Sequence, residues 1–393
     1  MIISILGMSG MNKEKTKKST AFYNCQALKK ESGNYHNATD MLLKNYNDSF
    51  YFLGTKKAIE FQKKLLDFNQ KEVTFVEIAD NNLDDIFEEV FKLISKVKDN
   101  ETVLLDITHG FRHQPISAIF SATLHKFLNS SNLEVIFAKQ IIEFKEYEYI
   151  YLTEYIDMTQ LSLLLTGFIR TLNFVNSINI EGLNTLAFEK FSRALLSNDF
   201  KALISAYKNL KATLQQAKTN KKFEHLKELF EKIEDTLKPL ENFEKKEIYE
   251  KYLILSSLMF NKNYYLLALT YLFEAIRLYC SYSFYKNGII SKKYWEENDS
   301  YKINAAVMSF ISQKDFDNYK STYYDNNFNN LYNKNLEQFQ TIASQYSKLR
   351  KLRNTLTHID HTESQPNIQR ELEALLKSIE EIIQTDTLKR INR

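Results

Sequence analysis

Short apolar runs alternate with helix-period stretches through the first 150 residues. The runs are IISIL (2–6), SFYFLG (49–54), VTFVEI (73–78), TVLLDI (102–107) and LEVIFA (133–138). Each has the length of a strand and is close to continuous in apolar residues. Between them, at 35–46, 55–69, 83–97 and 114–129, apolar positions recur every three or four residues, the spacing of one helix face. Strands of this kind separated by helices predict a parallel sheet with helices on both faces, an α/β Rossmann-like domain. EYIYLTEY (148–155) predicts one more strand, which closes it.

From 159 onward the helical period dominates. Long helices are predicted through the Lys/Glu-rich run that Pro239 interrupts, then at 246–260 and 263–285, with NKN (261–263) between them. The polar stretch 316–335 reads as a loop-rich insertion, and helices at 336–358 and 367–384 finish the chain. The expected division is an α/β domain over 1–158, a helical connector over 159–245 and an all-α domain over 246–393.

Composition narrows this picture. A chain of 393 residues exceeds the usual size of one domain. Lys and Arg number 52 against 49 acids, so a nucleic-acid surface must be a local patch rather than a coat. Cys25 and Cys280 fall in different predicted domains, which excludes a disulfide framework or a cysteine metal site and suits a reducing cytoplasm. MIISILGMSG lacks the basic start of a signal peptide. The longest apolar stretch (264–280) is interrupted by Glu274 and Arg277 and reads as a buried helix, not a membrane span. The expectation is a cytoplasmic protein with no membrane contact.

Three glycine-bearing loops follow predicted strands: Gly7, Met8, Ser9 and Gly10; Gly54 and Thr55; and DITHG, with Asp106, Thr108, His109 and Gly110. In an open parallel sheet such loops line one crevice beyond the carboxyl ends of the strands. Glycines let backbone approach a ligand, and amides at helix starts suit phosphate. Thr55, Thr108 and His109 can donate hydrogen bonds, and Arg112 adds a planar cation. A dinucleotide cofactor fits poorly. G-x-G-x-x-G is absent, and no acid ends the second strand to hold a ribose.

DITHGFRHQP (106–115), together with ILGMSG, FLGT (52–55) and EYIDMTQL (154–161) in that order, resembles the CRISPR-associated DxTHG-motif family over roughly residues 1–180. The resemblance implies a CARF domain that binds cyclic tetra- or hexa-adenylate across a homodimer or higher oligomer. FAKQ (137–140) stands where the family often carries an aromatic–glycine pair, and the single tryptophan is Trp295, so ring size stays open.

In YSKLRKLRNTLTHID (346–360), Leu349, Leu352, Leu356 and Ile359 form a stripe that faces a core. Arg353 and His358 lie off it, and Asn354 shares a face with His358 at i and i+4. A histidine can move a ribose 2′-hydroxyl or leaving-group proton near neutral pH, and an arginine stabilises phosphoryl charge. RNTLTH (353–358) resembles the motif of HEPN ribonucleases. An earlier helix carries Thr270, Glu274, Arg277 and Ser281 as one polar stripe. Buried charges want partners, so the stripe is expected beside the motif. Its alternative is a Glu274–Arg277 pair that only satisfies itself. His361 is expected to be an exposed neighbour. Together the two resemblances imply a type III CRISPR accessory protein: an endoribonuclease acting on single-stranded RNA without a metal or cofactor, with cyclic oligoadenylate as its allosteric ligand. Two alternatives stay open: a non-catalytic sensor or adaptor, and a CARF domain that cleaves its own ligand.

Overall fold

The structure, a computed structural model, describes residues 1–11, 17–69, 71–79, 82–97, 101–128, 132–175, 180–297, 299–312, 328–357 and 365–391. Contacts divide them into two units, Met1–Thr166 with Val175–Leu186, and Gly167–Phe174 with Ala187–Arg393.

The first unit holds eight strands: β1 (Ile2–Ile5), β2 (Ala21–Asn24), β3 (Gly33–Tyr35), β4 (Phe50–Gly54), β5 (Val73–Glu77), β6 (Thr102–Asp106), β7 (Asn132–Ile142) and β8 (Glu146–Tyr151). They form one sheet in the order β3-β2-β8-β7-β6-β1-β4-β5. From β5 through β4, β1 and β6 to β7 every pairing is parallel. The five parallel strands were all expected. β1 is central: the chain builds outward through β4 and β5, then returns to place β6 on its other side. That reversal is the switch point at which such sheets open a crevice, here between the ends of β1 and β6.

Helices α1 (Ala38–Asn45), α2 (Lys56–Leu65), α3 (Leu83–Ile94), α4 (His113–Leu128) and α5 (Thr153–Thr171) accompany the sheet. Asn37, Thr55 and Asn82 start the first three by accepting backbone N–H groups one turn on, the usual device for satisfying orphan donors at a helix start. Alternation along β1 explains the two cores. Ile2 and Leu6 join Met41, Leu42, Ala58 and Ile59 on one face, while Ile3 and Ile5 join Ile86, Val90, Ala118 and Ile156 on the other.

The edge differs from expectation. β7 and β8 form an antiparallel hairpin, and the run read as a strand over 148–155 ends at Tyr151, with α5 beginning at Thr153. The Thr153 hydroxyl accepts the N–H of Val135, anchoring that helix start to β7. β2 and β3, unmarked in the sequence, extend the sheet: β2 pairs parallel to β8 and antiparallel to β3. They are four and three residues long, too short to show a period.

The second unit is helical. Its members include α6 (Thr185–Leu196, from Ala187 on), α7 (Phe200–Thr219), α8 (Lys227–Leu237), α9 (Ile248–Asn261), α10 (Tyr265–Lys286), α11 (Lys292–Glu297) and α12 (Ser300–Ser312), then α13 (Phe328–Lys334), α14 (Leu336–Thr357) and α15 (Gln365–Gln384). Pro239 sits in a short 3-10 turn after α8. The border anticipated after residue 158 falls inside α5, and α7 and α8 belong to the same unit as α9–α15. α10 packs against α9, α12, α14 and α15, so it is apolar nearly all round, with Leu269, Leu272, Ile276 and Cys280 buried. Among the described residues no helix is long and apolar enough to cross a membrane.

Candidate functional site

Asp106 ends β6 on the same face of the sheet as Ser4 of β1, and both are fully buried. Ser4 Oγ donates to Asp106 Oδ2 at 2.7 Å, and Thr108 donates to Oδ1 through its N–H (3.1 Å) and its hydroxyl (2.5 Å). Thr108 Oγ1 in turn accepts the N–H of Ala138 on β7 at 2.9 Å. The acid therefore ties three adjacent strands together at their carboxyl ends. Burial pushes its pKa up to about 6, against the pull of the donors from Thr108 and Ser4.

His109 faces inward. Its Nε2 accepts the N–H of Ala38, the first residue of α1, and lies 3.2 Å from Ser9 Oγ. Burial pulls the imidazole down to about 4, so it is neutral at pH 7. The positive end of α1 favours an uncharged acceptor there over a cation. Thr55 is likewise engaged: only 7% exposed, it accepts the N–H of Ala58 as the cap of α2. Gly54 is buried, and a Cβ there would sit 2.9 Å from Leu6 Cβ. These residues shape the loops at the strand ends through what they hold.

The backbone of the loop after β1 is better placed to meet a ligand. Two fully buried amides draw its carbonyls inward: Gln62 Nε2 donates to Gly7 O (2.6 Å) and Asn37 Nδ2 to Ser9 O (2.9 Å). In a trans peptide the following N–H points the opposite way, so the amides of Met8 and Gly10 turn away from that interior. Gly10 and Gly110 adopt φ of +104° and +101°. At Gly110 a Cβ would lie 2.6 Å from Ile5 Cγ2, so only glycine lets the β6 loop lie against β1. Met8, Gly110, Phe111 and Arg112 are exposed. Outward amides and one arginine form a donor set suited to phosphate oxygens.

In the second unit, Arg353 of α14 borders a cavity of about 400 Å³ together with Glu274 and Arg277 of α10. The Arg353 guanidinium lies 4.7 Å from the centre of the Phe273 ring. Arg277, 6% exposed, donates from Nη1 to Glu274 Oε1 at 2.9 Å and packs against Phe273 and Tyr301. Its buried Nε has no hydrogen-bond partner. Two residues of the α10 stripe, Glu274 and Arg277, thus line one cavity with Arg353, and the hydrogen-bonded ion pair is the one between those two residues; Thr270 and Ser281 are not among the cavity's lining residues. Leu349 and Leu352 are buried, as their period requires. Asn354 is exposed. His358, Ile359 and His361 lie outside the described residues.

Among solved structures, the chain is similar to Enterococcus italicus Csm6 bound to cyclic hexa-2'-fluoro-hexa-dAMP. The match covers 98% of this chain and 93% of that one, at 13% sequence identity and a TM-score of 0.43. No protein-family model and no curated protein matches the sequence.

Among the cavity residues that escaped the sequence reading are Tyr346 and Arg350 on α14 and Tyr301 on α12. A signal existed for two of them. Tyr346, Arg350 and Arg353 stand at i, i+4 and i+7, one polar face beside the leucine stripe. Tyr301 had none, because its place depends on how α12 packs against α10. A further surface was also missed. Ile116, Phe120, Leu124 and Leu128 repeat every four residues along α4, between 40% and 64% exposed. Among the described residues no cluster of His, Cys, Asp or Glu could hold a metal ion.

Proposed function

We propose that the chain is an endoribonuclease of the CARF–HEPN kind, switched on by a cyclic oligoadenylate in type III CRISPR defence. The observation that carries this reading is the meeting of Arg353 with the Glu274–Arg277 pair and Arg350 at one aromatic-walled cavity. Clustered arginines of this sort attract a polyanion and stabilise charge on a phosphoryl group. Arg353, Asn354 and His358 supply the chemistry. His358 takes the proton of a ribose 2′-hydroxyl, whose oxygen attacks phosphorus. The bond to the 5′-oxygen breaks, that oxygen takes up a proton, and a 2′,3′-cyclic phosphate is left. Arg353 holds the phosphoryl oxygens, and Glu274 and Arg277 support it.

The cyclic ligand sits at the switch point of the sheet. Outward amides of the Gly7–Gly10 loop, with Gly110 and Arg112, contact its phosphates, while Gly54, Thr55, Asp106, Thr108 and His109 hold those loops in place. A ring of repeated units suits two copies of the crevice, and the apolar stripe of α4 gives a second protomer a surface to cover.

The test is incubation of purified protein with labelled single-stranded RNA in EDTA, with and without cyclic tetra- and hexa-adenylate. Cutting that needs one of the rings, persists in EDTA and leaves a 2′,3′-cyclic end is expected. Equal cutting by wild type and His358→Ala removes RNTLTH as the site.

A further inference from the structure

The cavity on α10 and α14 contains one group that a simple phosphate site would not want. Arg277, Arg350 and Arg353 all border it, and so does the carboxylate of Glu274. A carboxylate repels phosphate, so its place at the wall calls for a different partner. Arg277 is part of the answer, since it engages Oε1. A carboxylate accepts at two oxygens, however, and Glu274 keeps 32% of its side-chain surface exposed. Arg277 is fixed: it is buried, ion-paired and packed against two rings. The acceptor beside it is therefore held in position as well.

The rim suits a planar heterocycle. Phe273, only 6% exposed, is covered by Tyr346, with ring centres 5.2 Å apart, and by the Arg277 and Arg353 guanidiniums, so the exposed aromatic face is that of Tyr301, 67% exposed. Aromatic faces of this kind stack on any base without regard to sequence, so discrimination has to come from the polar edge. We propose that this cavity is a base subsite beside the scissile phosphate, and that Glu274 selects a base carrying an exocyclic amino group over uracil. The inference rests on the ribonuclease reading and adds a substrate preference to it. Cytosine offers its N4 amino group to a carboxylate, a pairing that side-chain acids use in reading bases. Uracil has a carbonyl oxygen at that position and would set acceptor against acceptor, leaving both unsatisfied.

Oligocytidylate and oligouridylate of equal length isolate that edge, because the two bases are otherwise nearly the same shape. Their binding to full-length protein carrying His358→Ala, which blocks cutting, is followed by fluorescence anisotropy. Oligocytidylate should bind about tenfold more tightly. In a Glu274→Gln background the ratio should fall toward one, since an amide both donates and accepts. Tyr301→Ala should weaken both oligonucleotides alike and leave the ratio unchanged. A ratio near one in the parent, a ratio that survives Glu274→Gln, or no binding of oligocytidylate overturns the proposal. Equal cutting at uridine and cytidine by active protein would sink the preference and leave the ribonuclease standing. Tight, selective binding without any cutting would do the reverse.

Discussion

At the ends of β1 and β6 the polar side chains of DITH are tied to the rest of their own unit, whereas on α10 and α14 the charged side chains border an open cavity. Asp106 binds Ser4 and Thr108, and His109 accepts from the start of α1. Glu274, Arg277, Arg350 and Arg353 line space. The difference follows from backbone geometry. A tight loop between strand and helix leaves donors and acceptors unpaired, and nearby side chains satisfy them. A helix satisfies its own backbone, so its polar side chains pair with one another, as Glu274 and Arg277 do, and line the cavity. Polar side chains thus build a frame in one unit and line a cavity in the other.

The largest expected effect is at the open site. Arg353→Ala should lower activated RNA cutting at least about a hundredfold, the scale of removing one group that stabilises transition-state charge. Binding of cyclic oligoadenylate, measured by calorimetry, should be unchanged. Loss of both together would mean that Arg353 belongs to a structural frame, like Asp106.

The framed site should break through its backbone. Gly110→Ala puts a Cβ against Ile5 at a positive φ, which should destabilise the first unit by about 3 kcal/mol. Hydrogen exchange at β1 and β6 amides should report the loss, while amides of α9 and α10 keep their protection.

Acid sensitivity distinguishes two groups of the frame, the buried Asp106 and the half-buried His109. Asp106 keeps its proton in the folded chain up to about pH 6, above its ordinary 3.8. Its contribution favours the fold at low pH and is lost as pH rises through 6. His109 has the opposite sign. With its value drawn from 6.5 down to about 4, it favours the fold above 6.5 and loses that contribution as pH falls toward 4. Each is worth up to about 3 kcal/mol at its limit, and between pH 4 and 6 they offset. Asp106→Asn should therefore leave a first unit whose protection rises with pH across this window. His109→Gln should leave one whose protection falls. Parallel profiles in the two variants would rule out this origin.

The smallest effect on stability is expected on α4. Phe120→Ser should change unfolding by less than about 0.5 kcal/mol, as surface changes do, yet shift the protein toward monomer in light scattering. An unchanged assembly state would remove the stripe as the protomer contact.

Much of this was present in local pattern. Apolar runs marked the five parallel strands, and a three-to-four-residue period marked α1–α4, α9, α14 and α15, because burial of one face repeats with the backbone's own geometry; α10 was marked by its long apolar stretch instead. Glycines after β1, β4 and β6 marked where strand ends crowd together. The stripe of Glu274 and Arg277 could be paired with RNTLTH because a charge on an apolar helix needs a partner. What the sequence left undetermined depends on contacts between distant segments. β2 and β3 are strands only because β8 supplies an edge. His109 could have faced a ligand, and it faces inward because the N-terminus of α1 arrives within hydrogen-bond reach. Tyr301 joins Arg277 because α12 packs on α10. Periodicity records which side of an element is buried, and only the packed structure decides which neighbour is found there.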